Sequence, residues 1–453
     1  MPLLSLQITP AEIDVGLRPD AQLCYALLTI TATAERDAAI NWALVADASR
    51  SMRIPIVSEE QFRQLLRDGS AQEVLVDGVP VWQLSGPVPA EVRAAAPSAL
   101  DFVARALHSI VDRLGNDDRF ALVACAEEAL VLTRSASGTD RAALARGIGR
   151  LPGLNLGEQT NLAQGITLGL AEIERSRQRT PGAGRADRLL LLTDGFTQQP
   201  EACLQLAAEA ARTGVAISTI GVGGEFQEEV LTKIADRSAG RAVFLRKPEA
   251  IPHAIAAELQ AARAVAAHNV TLTVSLVNDV HLRRATRLRP ALTILDDMLA
   301  QRTTANSYTL PIGAIESNAP VVLLLELLAP PHPAGHTLLA RCTLSADRTP
   351  PQDAQISAFY QPQPPPTPPS VLAAAAQANA ARLQHRALQT VAQGNPLEAA
   401  RLLRAAATRF EALNEPGLAK LAREQAATFE QGGASDTLAV KELTYATRRL
   451  AEK

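Results

Sequence analysis

Residues Asn41–Met52 read NWALVADASRSM and join an uninterrupted apolar run to a D-x-S-x-S pattern. Apolar runs of this length are typical of strands that are buried on both faces of a parallel sheet. Asp47, Ser49 and Ser51 follow the run at alternate positions. In a doubly wound sheet, ligands bind at the carboxyl ends of the strands, where loops leave for the helices. The stretch therefore predicts a buried strand that ends in a binding loop.

The rest of the chain changes its hydrophobic period at His268. Before it, apolar runs such as RFALVACA, RLLLLTDG and VAISTIGVG alternate with segments of helical period, which predicts an α/β fold with a doubly wound, mostly parallel, Rossmann-like sheet. After it, short runs separated by turn residues predict an antiparallel β-sandwich. The early run AQLCYALLTITATA has no helical partner, so we assign it to the same sandwich. The α/β domain is then inserted in the sandwich.

A proline-rich stretch, QPQPPPTPPS, separates the sandwich from a wholly helical tail, which is expected to form a small bundle rather than an extended repeat groove. An insertion after the D-x-S-x-S motif contains a short helix and a hairpin that turns at Asp77-Gly78. The last helix is expected to be capped by Ser435-Asp436, and Arg448-Arg449 to favour its C-terminal end. The predicted units are 1–37 (N-terminal strand or strands of the sandwich), 38–267 (α/β domain with an insertion at 53–96), 268–360 (β-sandwich), 361–370 (linker) and 371–453 (helical domain).

Composition excludes several classes of protein. The chain has 453 residues, 47% of them hydrophobic and 20% charged, with a formal net charge of −3. This balance does not suggest a nucleic-acid or membrane-surface binder. No apolar run is long enough to span a bilayer, and the N-terminus lacks the features of a signal peptide. The four cysteines are scattered along the chain: Cys24, Cys125, Cys203 and Cys342. This distribution is typical of buried thiols in a reducing compartment, so a cytoplasmic protein is expected.

Two more oxygen-bearing residues are predicted to join the motif. Asp194 ends the apolar run RLLLLTD, and Thr160 lies in a loop just ahead of a helix. Two carboxylates and three hydroxyls form an all-oxygen set, which suits a hard cation such as Mg²⁺, with Mn²⁺ or Ca²⁺ as alternatives, and does not suit zinc or copper. Two aspartates balance the charge of a divalent ion without exceeding it, and the hydroxyls add no charge. The ion can therefore still bind a carboxylate from another molecule.

The segments LVADASRSM, NLGEQTNLAQGI and LLLLTDGF…GVAISTIGVGGEFQEEVLTKIAD, in this order, resemble the signature regions of von Willebrand factor A (VWA) domains. The resemblance implies a metal-ion-dependent adhesion site (MIDAS) made of Asp47, Ser49, Ser51, Thr160 and Asp194. The hydroxyls would bind the metal directly, the aspartates largely through water, and Thr160 would be the ligand that exchanges when a partner binds. The flanking sandwich and helices look like bacterial intracellular members of this family.

Arg50 departs from the family pattern, which has glycine at this position. Its guanidinium either points at the metal and weakens binding, or points outward and attracts an acidic partner. We expect the outward orientation.

The function expected is a non-enzymatic, Mg²⁺-dependent protein-binding module or scaffold that grips an acidic residue of a partner protein. The resemblance also suggests an AAA+ ATPase or a stress-system protein as partner. One alternative is a structural scaffold with a vestigial metal site that acts through its helical tail. Another is a Mg²⁺-dependent hydrolase, which is disfavoured because no catalytic motif such as G-x-S-x-G or H-E-x-x-H occurs. A purely structural alternative is that Ser49, Ser51 and Asp194 only cap turns and helices.

Overall fold

The computed structural model describes most of the chain, in the ranges 3–33, 37–57, 59–69, 71–76, 79–84, 96–182, 184–299, 302–304, 306–317, 319–347, 349–431 and 437–451. The described strands are β1 (Leu3–Thr9), β2 (Glu12–Gly16), β3 (Gln22–Thr33), β4 (Ile40–Asp47), β5 (Ala71–Val76), β6 (Val79–Leu84), β7 (Arg119–Cys125), β8 (Ala129–Ser137), β9 (Ala186–Thr193), β10 (Ala216–Val222), β11 (Ala242–Leu245), β12 (Val265–Leu276), β13 (His281–Arg289), β14 (Thr293–Ile294), β15 (Arg302–Thr304), β16 (Ser307–Glu316), β17 (Val321–Ala329), β18 (Gly335–Ala346) and β19 (Thr349–Gln361).

The described α-helices are α1 (Arg50–Arg53), α2 (Glu59–Arg67), α3 (Ala99–Val111), α4 (Arg141–Arg150), α5 (Leu162–Arg179), α6 (Pro200–Arg212), α7 (Glu228–Arg237), α8 (Ile251–Arg263), α9 (Asp296–Leu299), α10 (Pro369–Ala392), α11 (Pro396–Ala412), α12 (Pro416–Glu430) and α13 (Thr437–Arg448). Within the described ranges, none of these helices is both long enough and apolar enough to cross a membrane.

The strand predicted from NWALVAD is β4, and it lies in the middle of a six-stranded sheet in the order β11-β10-β9-β4-β7-β8. Its pairings with β7 and β9 are parallel, and only the edge strand β8 is antiparallel to its neighbour. Every residue of β4 is buried, because helices cover both faces of the sheet. The predicted fold class is confirmed: an α/β domain with a mostly parallel sheet, accompanied by further sheets and C-terminal helices.

The two faces of this sheet have separate cores. Trp42, Leu44 and Ala46 of β4 point to the side that is covered by α3 and α8. Ala43 and Val45 point to the opposite side, which is covered by α5, α6 and α7. Because both sets of side chains are buried and closely packed, β4 is held firmly between the two helical layers. This packing positions Asp47 at the end of the strand.

A second unit consists of two sheets packed face to face. One has the order β1-β3-β17-β13-β14 and the other β15-β16-β12-β18-β19-β2, and residues of both form one core. The N-terminal segment contributes three strands to it, since β1 and β2 precede β3 in the chain and belong to the same two sheets. The α/β domain therefore lies in the chain between strands of this sandwich.

The boundary between these two units differs from the expected helix end. The helical period was expected to continue up to His268, but α8 ends at Arg263 and β12 begins at Val265. Residues of this run instead pair with β16, as in the match of Val265 with Glu316. Alanine favours helix locally, and pairing with a strand about 50 residues away overrides that propensity.

The insertion leaves and rejoins the α/β domain at one place, since Ile56 N donates to Pro97 O over 3.0 Å. It contains α2 and the antiparallel hairpin β5-β6, as predicted from the sequence. The hairpin turn at Asp77-Gly78 and the Ser435-Asp436 cap of the last helix lie outside the described residues.

The C-terminal helices pack on each other and on both other units. Helices α10 to α12 share a core of small and aromatic residues, such as Ala406 and Phe410. Helix α13 packs against the α/β domain, where Tyr445 joins the core beneath α7. Arg448 lies in the last turn of its helix, as predicted, and its side chain forms a partly buried ion pair with Asp236 of α7, at 2.8 and 2.5 Å. No local pattern predicts this ion pair, because its acidic partner is 212 residues away in sequence.

Candidate metal centre

The residues predicted to bind metal come from three loops at the carboxyl edge of the central sheet. Asp47 is the last residue of β4, and Ser49 and Ser51 lie at the start of α1. Thr160 directly precedes Asn161, which caps α5, and Asp194 follows β9. The structure brings all of them into one hydrogen-bonded cluster.

Asp47 is the centre of this cluster and is fully buried. Its Oδ1 accepts from the backbone N–H of Ser49 at 2.8 Å, while its Oδ2 accepts from the hydroxyls of Thr193 at 2.5 Å and Thr160 at 3.2 Å. Burial raises the pKa of Asp47 above its ordinary value, and the hydrogen bonds from Thr193, Ser49 and Thr160 oppose that rise. The carboxylate is therefore held rigidly at the bottom of the cluster.

Ser49, Ser51 and Asp194 form a row of oxygens above Asp47. Ser49 Oγ lies 3.2 Å from Ser51 Oγ, and Ser51 Oγ donates to Asp194 Oδ1 at 2.7 Å. Ser49 is buried, whereas Ser51 is exposed, so the row opens to solvent at one end. Burial raises the pKa of Asp194 to about 7, the hydrogen bond from Ser51 opposes this, and the charge of Asp47 adds to it. A cation bound between the two carboxylates would reduce the electrostatic repulsion between them and favour their charged forms.

The donor set fits a hard divalent cation. Oxygens that are bound to one Mg²⁺ in octahedral geometry lie about 3 Å apart, because each is about 2.1 Å from the ion. The hydroxyl and carboxylate oxygens here are separated by 2.7 to 3.2 Å. Among the described residues no group of three or more His, Cys, Asp or Glu side chains could hold a metal, so this site relies on two carboxylates and hydroxyls. Such a set favours Mg²⁺, Mn²⁺ or Ca²⁺ over zinc or copper.

Two residues that support this site were not found by sequence reasoning. The Thr193 hydroxyl also accepts from Gly195 N at 3.1 Å and so links Asp47 to the loop that carries Asp194. A polar residue at the end of the apolar run LLLLT was the available signal. Arg53 donates to Gly157 O at 3.0 Å and to Ser49 O at 3.4 Å, which ties the motif loop to the loop before Thr160. No local signal points to this contact, since its partners are 104 residues apart.

The rim of the site carries exposed charged and apolar side chains. Arg50 Nη1 lies 3.6 Å from Glu158 Oε1, and the two side chains are 63% and 69% exposed. Phe196, two residues after Asp194, is 62% exposed, and Ile54 is 50% exposed.

Comparison with known proteins agrees with the fold. The sequence profile of the von Willebrand factor type A domain matches residues 94–257, which contain Thr160 and Asp194 and begin beyond the D-x-S-x-S motif. The profile of the Sll0103-like, C-terminal alpha-helical domain matches residues 369–453. A Synechocystis protein described as "Uncharacterized protein sll0103" is 26% identical over 185 residues, which are 40% of this chain and 42% of that protein's length.

Two solved structures resemble the whole chain. A von Willebrand factor type A protein from Catenulispora acidiphila aligns with a TM-score of 0.73 at 18% identity, over 99% of this chain and 97% of that one. The ArnB paralog VWA2 from Sulfolobus acidocaldarius aligns with a TM-score of 0.53 at 14% identity, over 99% of both chains. At these identities the similarity establishes the fold. The chain therefore contains a von Willebrand factor type A domain, followed by a Sll0103-like C-terminal helical domain.

Proposed function

We propose that this chain is a metal-ion-dependent protein-binding module. In this proposal Asp47, Ser49, Ser51, Thr160 and Asp194 hold Mg²⁺, and the ion coordinates an acidic side chain of a partner protein. VWA domains are often metal-dependent interaction modules, and this supports the general class. The observation that carries the proposal is the row of oxygens from Ser49 through Ser51 to Asp194, at separations of 3.2 and 2.7 Å.

The charge of this site explains why a carboxylate would be the ligand. The two aspartates balance a divalent ion, and the three hydroxyls add no charge, so the ion keeps its attraction for another anion. The exposed end of the oxygen row at Ser51 is where such a group would approach. Phe196 and Ile54 lie exposed on the loops that carry Asp194 and the motif. We therefore propose a partner that presents its acidic residue next to an apolar side chain.

Catalysis is not favoured by the same geometry. A hydrolase that activated water on the metal would need a general base besides the metal ligands. In the described part of the chain, Asp47 and Asp194 belong to no cluster of three or more His, Cys, Asp or Glu residues. Both carboxylates would be occupied by the ion. We therefore propose a non-enzymatic role.

Calorimetric titration of Mg²⁺ into the full-length protein tests the site. We expect saturable binding to the wild type and a loss of more than about tenfold in affinity for Asp47→Asn, which keeps the side-chain shape but removes the charge. Titrations with Mn²⁺ and Ca²⁺ rank the three candidate ions. Absence of binding to the wild type would instead support a structural scaffold whose metal site is vestigial.

Pull-down from cell extract then tests how the site is used. A partner bridged by metal should be captured in Mg²⁺, released by EDTA, and not captured by Asp47→Asn. A partner that is retained equally in EDTA would refute the metal-bridged mechanism and favour contacts through the helical tail. Hydrolysis of a generic phosphoester that disappears in Asp194→Ala would overturn the non-enzymatic assignment.

A further inference from the structure

A groove of about 700 Å³ lies at the end of the VWA sheet opposite the candidate metal site. It is formed by the second half of β8, one side of α4 and the C-terminal end of α5. Arg119, at its edge, starts β7 and pairs with Ser137, whereas Asp47 pairs with Cys125 at the far end of β7. At about 3.3 Å per residue, the length of β7 places the Arg119 edge of the groove about 20 Å from the end of the strand beside Asp47. The groove is therefore a separate feature from the metal site.

This groove is strongly basic although the chain as a whole has a formal net charge of −3. Its described lining residues include one acidic side chain, Asp140, whose Oδ1 accepts from Ala143 N and caps α4. The lining also includes five arginines from β7, β8, α4 and α5: Arg119, Arg134, Arg146, Arg150 and Arg179.

These arginines lack the acidic partners that others in the molecule have. Arg177, Arg241 and Arg263 each form an ion pair at 2.6 to 2.8 Å. In contrast, Arg134, Arg146 and Arg150 make neither an ion pair nor a side-chain hydrogen bond to any described residue. The remaining two bond only to backbone carbonyls: Arg119 to Asn116 and Asp118, and Arg179 to Ser135. Such a concentration of like charge is unfavourable unless a counter-anion binds.

Two buried hydroxyls in the same lining also lack partners. Thr133 and Ser135 are each 5% exposed, and their hydroxyl oxygens have no hydrogen-bond partner within the described structure. A buried hydroxyl left unpaired costs about 1–3 kcal/mol, so such groups are usually satisfied by a ligand or water. A Cβ on Gly147 of α4 would lie 1.7 Å from Thr133 Oγ1, so glycine allows α4 to pack directly against this strand.

We propose that this arginine groove binds an oligophosphate group. An oligophosphate concentrates several negative charges in a small volume, and its oxygens accept hydrogen bonds from guanidinium donors. Guanidinium groups also match the geometry of phosphate with paired hydrogen bonds. None of the described residues that line the groove is aromatic, so it offers no surface on which a nucleobase could stack. Recognition is therefore of the phosphate chain and not of an attached base.

Calorimetric titration of sodium tripolyphosphate into the full-length protein tests this proposal. The buffer is metal-depleted, so that the metal site does not contribute, and has an ionic strength of about 0.15 M, so that weak surface attraction is screened. Tripolyphosphate should bind at least about tenfold more tightly than inorganic phosphate, which engages fewer guanidinium groups. ATP should bind within about threefold of tripolyphosphate, because the groove has no site for the base.

Substitutions assign the binding to the groove. Arg146→Ala/Arg150→Ala should weaken tripolyphosphate binding by at least about tenfold, and Arg134→Ala alone by about threefold. The matched control, Arg401→Ala/Arg409→Ala, removes two exposed arginines from α11 and should bind like the wild type. Asp47→Asn should also bind like the wild type, which separates this proposal from the metal site.

Three results would overturn the proposal. They are absence of tripolyphosphate binding to the wild type, equal affinities of the groove variants and the α11 control, and binding of ATP without binding of tripolyphosphate. Because the substituted arginines are exposed and unpaired, the variants are expected to fold, and circular dichroism checks this.

Discussion

Arg50 is the residue at which the motif departs from its family, and the structure decides its orientation. Its guanidinium turns to Glu158, at 3.6 Å, on the exposed rim of the site. The ion pair balances its charge, and Asp47 and Asp194 make their own contacts without it. An exposed pair of this kind contributes only about 0–1 kcal/mol to stability. The outward orientation expected for Arg50 is therefore the one found in the structure.

Replacing Arg50 tests that orientation. Arg50→Ala should change Mg²⁺ affinity by less than about threefold and the free energy of unfolding by less than about 0.5 kcal/mol, since an exposed ion pair is lost. Calorimetry and urea unfolding measure the two quantities, and Glu158→Ala serves as the matched variant. A rise of tenfold or more in Mg²⁺ affinity for Arg50→Ala alone would show that the guanidinium reaches the ion.

Asp194 gives the metal-free protein a predictable pH dependence. Its pKa is raised from an ordinary value near 4 to about 7 in the folded chain by burial. Between these values the folded state holds a proton that the unfolded state has released. The free energy of unfolding should therefore fall as pH rises from about 4 to about 7, by up to roughly 4 kcal/mol.

Urea unfolding in metal-depleted buffer at several pH values measures this trend. Asp194→Asn cannot ionise, so its stability should vary less across the same range. Saturating Mg²⁺ should restore stability to the wild type above pH 7, because the ion binds the folded state. Identical pH slopes for the wild type and Asp194→Asn would contradict the assignment.

Among the elements, helix α5 positions Thr160 by packing unusually close to the central sheet. A Cβ on Gly165 would lie 2.7 Å from Val45 Cγ1 and 2.9 Å from Cys125 Sγ. A Cβ on Gly169, one turn later, would lie 2.7 Å from Leu189 Cδ1. Two glycines on one face thus let the helix approach β4, β7 and β9. Thr160 precedes this helix, so its distance from Asp47 depends on that packing.

Alanine at Gly165 is therefore expected to destabilise the domain. The added methyl group should lower the free energy of unfolding by about 1–3 kcal/mol, because Val45 and Cys125 are buried and have no room to move. Gly149→Ala in α4 is the control: nothing lies within 4 Å of its Cβ, so it should be neutral or stabilising by up to about 1 kcal/mol. Urea unfolding compares the two, and equal effects would show that close packing is not the cause.

In the whole molecule, helix α13 connects the C-terminal helices to the VWA domain. The Lys441 ammonium lies 4.0 Å from the centre of the Phe226 ring and donates to Gly224 O. The Tyr445 ring packs against the Phe226 and Phe244 rings, at centroid distances of 6.5 and 5.6 Å. Gly224 and Phe226 belong to the loop between β10 and α7. In the same loop, the side chain of Gln227 accepts from Thr197 N at 3.1 Å, so α13 contacts a loop that in turn contacts the loop carrying Asp194.

Tyr445 allows the contribution of this contact to be measured. Tyr445→Ala should lower the free energy of unfolding of the VWA domain by about 3–5 kcal/mol, since a large ring leaves a buried core. Tyr445→Phe should be neutral or slightly stabilising, because the hydroxyl is buried without a hydrogen-bond partner in the described structure. The fluorescence of Trp42, in a Trp82→Phe background, reports the unfolding. Equal losses for both variants would mean that the hydroxyl, not the ring, makes the contact.

The predictions that the structure confirms are those with a local physical cause. The run that forms β4 is apolar throughout, and the alternation of helical and apolar segments reappears as α3 to α8 and β7 to β11. Errors arose where a distant partner decides the conformation. Val265 belongs to a strand because it pairs with Glu316 of β16. The ion pair of Arg448 with Asp236 was also not predicted, since its two residues are 212 positions apart. The assignment of metal to Asp47 and its neighbours stays a prediction.

The sequence by itself determined the fold class and the residue types of the candidate site, since both follow from hydrophobic periodicity and from polar residues that end buried strands. Only the tertiary structure decided which oxygens meet, that Arg50 turns to Glu158, and that arginines from four separate elements line one groove. These facts depend on contacts between residues far apart in the chain. Side-chain packing at such distances is set by the whole fold, and no local pattern encodes it.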